Sequence, residues 1–281
     1  MTALSPASPA GPAPAGPAPA GSPPRLARLI LHEFRYDLRC FRRNTQSMFF
    51  TLILPVLFLA IFASVFRNAD VAVPGGRLGE AVYYVPGIIA YAIIAAAFSN
   101  MIVTVVRIRE SGTYKRQRAT PLPASAVITG RALIGALTAL AIAAVILIIG
   151  WAVYGASIPG RTAPALALDI ILGALVFCCL GFAVATFITS VDASQPVTLA
   201  IVLPLSFISG IFIPAGELPN WLINISAIFP VRPLAASLLA AYNPHTTGSG
   251  LNWGNLAVLT AWGILGLIIA TRRFRWLPRS G

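Results

Sequence analysis

Charge is what this chain has least of. Only 10% of its 281 residues are Asp, Glu, Lys or Arg, against about 25% in a typical soluble domain. So few charges cannot cover a water-facing surface, so most of the outside must face lipid. The acidic residues are Glu33, Asp37, Asp70, Glu80, Glu110, Asp169, Asp192 and Glu217, and all of them fall outside the centres of the apolar runs. The two histidines, His32 and His245, fall on opposite sides of the predicted membrane. No acid–base pair or proton relay is therefore expected inside the membrane, where an ionisable group would mark an ion path. Lys115 is the one lysine, and no GxxxxGK[ST] phosphate loop exists. The chain lacks the means to hydrolyse ATP in the P-loop manner. Cys40, Cys178 and Cys179 have neither metal-ligand spacing nor a disulfide framework, and are read as packing thiols. No metal site and no catalytic residue is expected.

A net charge of +12 invites a nucleic-acid reading. The basic residues, however, cluster at the ends of apolar runs and not along one stripe, so no nucleic-acid partner is expected. Residues 1–24 are almost all Pro, Ala, Gly and Ser, a composition that cannot bury enough apolar area to order itself, and are read as a disordered tail. Residues 25–43, RLARLILHEFRYDLRCFRR, place Leu26, Ile30, Phe34, Leu38 and Phe41 on one stripe with six arginines elsewhere. Such a segment lies in the membrane interface as an amphipathic helix.

A spanning helix needs about 20 apolar residues. The stretches free of Asp, Glu, Lys and Arg are 44–66, 81–106, 132–160, 170–191, 193–216, 218–231 and 233–271. The first five each hold one span, and the last holds one near 253–270. Segment 217–242 is apolar but broken by Pro219, Pro230, Arg232 and Pro233. A full crossing there would put Arg232 near mid-membrane at about 2.5–3.5 kcal/mol. Short helices that dip in and return are the expectation. The predicted fold is therefore an all-α membrane protein: an interfacial helix, six spans within 44–273, a re-entrant segment before the last span, and a basic tail at 274–281.

Sixteen of the twenty basic residues lie before the first span, in the connection after the second, or after the last. Arg67, Arg77, Arg161 and Arg232 are the rest. The positive-inside rule then puts both termini in the cytoplasm, which agrees with an even span count. Arg-, Ala- and Pro-rich composition points to a GC-rich bacterial genome, and so to the bacterial cell membrane.

Between the second and third spans lies ESGTYKRQRATPL, residues 110–122. Its Gly-Thr and Thr-Pro punctuation serves no topological purpose, which suggests a docking surface for a soluble partner. With Arg109 before it and Gly130-Arg131-Ala132-Leu133 after it, this run resembles the signature of ABC-2 type permeases. A second resemblance is FISGIFIP, residues 207–214, followed by Leu218-Pro219, Trp221 and Phe229-Pro230. The similarity runs over about 25–275 and is nearest the drug-export permeases of the daunorubicin and doxorubicin resistance type. Tyr114 and Ser111 depart from that pattern.

The resemblance implies a permease subunit that moves hydrophobic or amphipathic compounds, drugs or antibiotics, outward. A separate ATP-binding-cassette ATPase, in two copies, would drive it and would bind the ATP and magnesium; no cofactor is expected in this chain. A second permease subunit, identical or homologous, and membrane lipids complete the partners. The coupling loop is 107–123, with Arg109, Glu110, Ser111, Gly112, Thr113, Arg116, Arg118, Thr120 and Pro121 at the ATPase interface and Asp192, in the turn after the fourth span, as a second contact. Phe98, Ser99 and Asn100 on the second span, with Ser206, Phe207, Ser209 and Phe212 around the end of the fifth, are the candidate transport path. Export of a lipid-linked glycan is the alternative within the family, and a passive channel is the alternative outside it.

Overall fold

The computed structural model describes residues 45–66, 70–111, 124–157 and 159–273. The tail 1–24, the interfacial helix 25–43, residues 112–123 of the coupling loop and the tail 274–281 lie outside the described residues. What is described is a helical membrane bundle with one small hairpin.

Helix α1 is Thr45–Val65. It shows Phe49, Leu57 and Ile61 outward and buries Leu59 and Ala63, the one-sided pattern of a helix at the rim of a bundle. A hairpin follows, β1 (Asp70–Val73) against β2 (Gly76–Gly79), with Val73 opposite Gly76. Sequence reading expected helices alone. The hairpin's signal was Pro74-Gly75, because its two-residue turn needs positive φ, and Gly75 supplies φ +88°.

Helix α2, Glu80–Glu110, is 31 residues long and the most enclosed of the candidate spans. At about 1.5 Å per residue it is some 46 Å long, longer than the hydrocarbon core. A π-helical turn, Ile94–Ser99, interrupts it. Helix α3 is Ala124–Tyr154. Helix α4, Ala163–Ala185, starts with Pro in its first turn, where the missing N–H costs nothing. Helix α5, Val191–Ile208, is capped by Ser190, whose Oγ accepts from the Ala193 N–H at 3.2 Å.

Helices α6 (Asn220–Ile228) and α7 (Val231–Tyr242) meet at 100°. Helix α8, Trp253–Arg273, closes the bundle with Arg272 and Arg273 in its last turn, where cations suit the helix dipole. Five of these helices are long and apolar enough to cross a membrane. Helix α1 has 21 residues, but its apolar part is the shorter stretch Thr51–Val65.

The bent pair returns to the side it came from. Just before it, Gly210 accepts a hydrogen bond from Tyr83 Oη at 3.1 Å, beside the hairpin. Just after it, Asn243 Nδ2 donates to Pro74 O at 2.9 Å in the hairpin turn. Its bend is deep: Trp262 Nε1, nine residues into α8, donates to Ile228 O at 2.8 Å. The re-entrant segment expected from the prolines is therefore present, and its two ends share the hairpin end of the bundle.

Helix α4 is the core around which the others pack. Small residues let backbones approach without a hydrophobic driving force between helices. A Cβ at Gly181 would fall 2.7 Å from Phe98 O on the π turn, and one at Gly266 of α8 would fall 3.1 Å from Cys179. Cys178 is buried and Cys179 half-buried, both as free thiols. The charge-free run begins at Ile170, just after Asp169, but α4 starts earlier, at Ala163. Asp169 therefore sits nearly two turns inside, fully buried, and neither carboxylate oxygen has a hydrogen-bond partner.

Candidate functional site

Two ends of the bundle carry organised side chains. The first is the junction where α2 ends. The last carbonyls of a helix have no partner within it, and α4 ends at Ala185 close to the end of α2. Arg109 fills that place. Its Nη1 donates to Ala185 O at 3.2 Å and its Nη2 to Ile188 O at 2.6 Å. Its Nε donates to Glu110 Oε1 at 3.2 Å. The planar guanidinium suits this three-way grip in a way an ammonium does not. The arginine side chain is only 5% exposed and Glu110's 18%.

The elbow between α4 and α5 is tied further by Thr186 Oγ1 donating to Ala183 O at 2.7 Å. Ser111 ends α2 by donating from Oγ to Ile108 O at 2.9 Å. Asp192, in the first turn of α5, is exposed. The structure thus brings Arg109, Glu110 and Ser111 to the same junction as the elbow that carries Asp192. It places Arg109 inside that junction, facing the chain itself. Gly112, Thr113, Arg116, Arg118, Thr120 and Pro121 lie outside the described residues.

The second site is at the hairpin end. Gly210 adopts φ +83°, a left-handed turn natural for glycine, and this sends the chain after α5 back into the bundle. Phe212 is buried there. Its ring centroid lies 5.4 Å from Phe58 and Phe62 on α1, 5.4 Å from Tyr91 on α2 and 5.1 Å from Phe207 on α5. Tyr84 Oη lies 3.1 Å from Glu80 Oε1 and 3.4 Å from Phe212 O. One phenolic proton serves one acceptor at a time, and the carboxylate is the nearer.

The candidate path residues do not gather on one wall. Phe98 is buried against Phe177 of α4 at 6.2 Å, and Ser99 ends the π turn. Asn100 Nδ2 donates to Thr51 Oγ1 of α1 at 3.4 Å, a helix–helix hydrogen bond. Ser206 is buried and donates to Val202 O in its own helix at 2.8 Å. Phe207 is 45% exposed and Ser209 only 3%. Phe207, Ser209 and Phe212 belong to the hairpin end, while Phe98, Ser99 and Asn100 lie far down α2 towards Arg109.

Sequence reading singled out none of Glu80, Tyr83, Tyr84, Tyr91, Phe58 and Phe62, which gather around Phe212 and Gly210. The tyrosines at 84 and 91 repeat at seven residues on one helical face, and that was their signal. Among the described residues no group of His, Cys, Asp and Glu is placed to hold a metal ion.

The family model described as ABC-2 type transporter matches residues 29–242. The match takes in both sites and ends with α7. No curated protein matches the chain.

Proposed function

The chain belongs to the ABC-2 type transporter family, and from that premise we propose that it exports amphipathic compounds, drugs or antibiotics among them, with the Arg109 junction as the point where the motor acts. As a family member it is a multi-pass membrane component of an ABC transporter that works with a separate ATPase subunit. The finer reading concerns cargo, direction and coupling.

One observation carries it. A single buried guanidinium joins the end of α2, where the coupling loop begins, to the elbow between α4 and α5. A push on either cytoplasmic connection is then felt by three helices together. The exposed charge on Asp192 beside that grip suits contact with an ATPase subunit. At the other end, taken as the outside, closure rests on aromatic rings that slide past one another without breaking ionic contacts. Apolar rims on α1, α5 and α8, including Leu57, Leu203 and Ile264, leave area for lipid and for a second permease subunit. Few fixed charges along the bundle favour lipophilic cargo over ions.

The test is reconstitution. The full chain, placed in liposomes with its ATPase, accumulates a fluorescent amphipathic cation against its gradient only when ATP and magnesium are present on the ATPase side. Flux through the chain alone, without nucleotide, would instead identify a passive channel. Active transport of a lipid-linked glycan with no drug transport would correct the cargo.

A further inference from the structure

Arg232 is the second residue of α7, just past the bend that Trp262 marks nine residues into α8. The guanidinium there has one hydrogen bond, from Nη1 to Ser226 Oγ at 3.0 Å, out of five N–H donors. No acidic side chain pairs with it: the ion pairs among the described residues are Arg77–Asp70 and Arg109–Glu110. Glu80 is engaged by Tyr84, and Glu217 is exposed.

A half-buried guanidinium with no carboxylate partner is costly unless another acceptor meets it. Beside it is a cavity of about 60 Å³ lined by Arg232, Ser209, Tyr83, Gly87 and Ala235. Ser209 is 3% exposed, lines that cavity and has no hydrogen-bond partner for its hydroxyl. Tyr83 Oη is already committed to Gly210 O. Two donors, one charged and one neutral, therefore face a small cavity with nothing to accept from them.

We infer that this cavity, between the first turns of α2, the end of α5 and α7, binds the anionic oxygen group, phosphate or carboxylate, of an amphipathic molecule. Arg232 supplies the charge-assisted contact, and Ser209 supplies a second donor. The apolar lining from Gly87 and Ala235 leaves no room for a bulky head but accepts a tetrahedral or planar anion. A lipid head and a free anion share this chemistry. The inference stands on the cavity and does not depend on the direction of transport or on the ATPase.

The test uses the full chain in phosphatidylcholine nanodiscs doped with phosphatidylglycerol that carries a photoactivatable group on its acyl chain next to the glycerol. Labelled peptides are mapped by mass spectrometry. Labelling of the peptides spanning 209–215 and 232–239 is expected, and it falls about tenfold in Arg232→Gln, the weight of one charge-assisted hydrogen bond. Ser209→Ala lowers it about threefold, and Arg232→Lys keeps most of it. Unchanged labelling elsewhere in the chain shows that each variant is folded. If Arg232→Gln is not folded, Ser209→Ala and Arg232→Lys decide by the same readout. Protection by inorganic phosphate assigns the site to a free anion, and lack of protection assigns it to a lipid head. Labelling that persists in both Arg232→Gln and Ser209→Ala, or that is equal with a photoactivatable phosphatidylcholine, overturns the inference.

Discussion

The two ends of this bundle are closed by different chemistry. At the Arg109 end, one buried cation holds one carboxylate and two carbonyls. At the hairpin end, Phe212 meets four other rings and no charge. A charged grip in a buried place is directional and all-or-none: removing one partner strands the others. Ring contacts are worth about 0.5–1.5 kcal/mol each and change gradually with angle. The first end is therefore tied as one unit, and the second is held by several weaker contacts.

The sharpest way to break the comparison is Arg109→Ala. It leaves the half-buried Glu110 without its cation and exposes two carbonyls to an apolar junction. Loss of one partner of a buried pair costs about 3–5 kcal/mol. In a chain of this size that lowers the thermal midpoint by roughly 6–20 °C, read by intrinsic fluorescence in nanodiscs. Arg109→Lys should recover part of the loss, since charge remains but the fork is gone. If Arg109→Ala melts and transports like the parent, the junction is not a coupling point.

Phe212→Ala is the matching experiment at the other end. It removes four ring contacts at once, but lipid and neighbouring rings refill part of the space. About 2 kcal/mol is expected from the pair energies, so the midpoint moves less than in Arg109→Ala. The readout that distinguishes closure from packing is leak. Liposomes holding the variant should lose a small dye without nucleotide, while those holding the parent retain it. A tight Phe212→Ala variant would remove the aromatic cluster from the gating account.

Local features were legible in the sequence, and long-range contacts at both ends were not. Apolar run length placed the spans, and Pro219, Pro230 and Pro233 around Arg232 marked the re-entrant pair, because both signals are local. The sequence places Arg109 at the ATPase interface and does not show its grip within the chain, because topology rules count cations without seeing their partners. Ala185 and Ile188 lie 76 and 79 residues away from it. The start of α4 was hidden for a related reason. A charge ends a hydropathy run, but a helix begins where Pro164 and packing allow. The aromatic closure draws on α1, α2, α5 and the turn after α5, so no single stretch of sequence displays it. Gly112, Thr113, Arg116, Arg118, Thr120 and Pro121, from which the docking surface was read, remain a matter of sequence alone.

A smaller effect is expected from Tyr84→Phe. The ring stays among Phe62 and Phe66, and only the hydroxyl is lost. Glu80, 5% exposed, gives up its 3.1 Å donor, at a cost of about 1 kcal/mol. The midpoint should fall by roughly 2–4 °C, with the dye still retained, which would separate the polar strut of the hairpin end from its aromatic seal. A leak as large as that of Phe212→Ala would mean that the strut and the seal are one unit.

Arg77→Ala should do least, and its smallness sharpens the contrast most cleanly. Arg77 and Asp70 form the same kind of ion pair as Arg109 and Glu110, but at 4.0 Å and with side chains 70% and 60% exposed. Water screens such a pair to about 0.2–1 kcal/mol. The hairpin's register is held by other means: the left-handed Gly75, whose Cβ position lies 3.1 Å from His245 Cβ, and the bond from Asn243 to Pro74 O. Arg77→Ala is therefore expected to leave the melting curve and transport unchanged, whereas Gly75→Val, which strains φ and meets His245, lowers the midpoint. If Arg77→Ala instead proved as damaging as Arg109→Ala, burial would not be what separates the two ends, and the charged grip at Arg109 would lose its special standing.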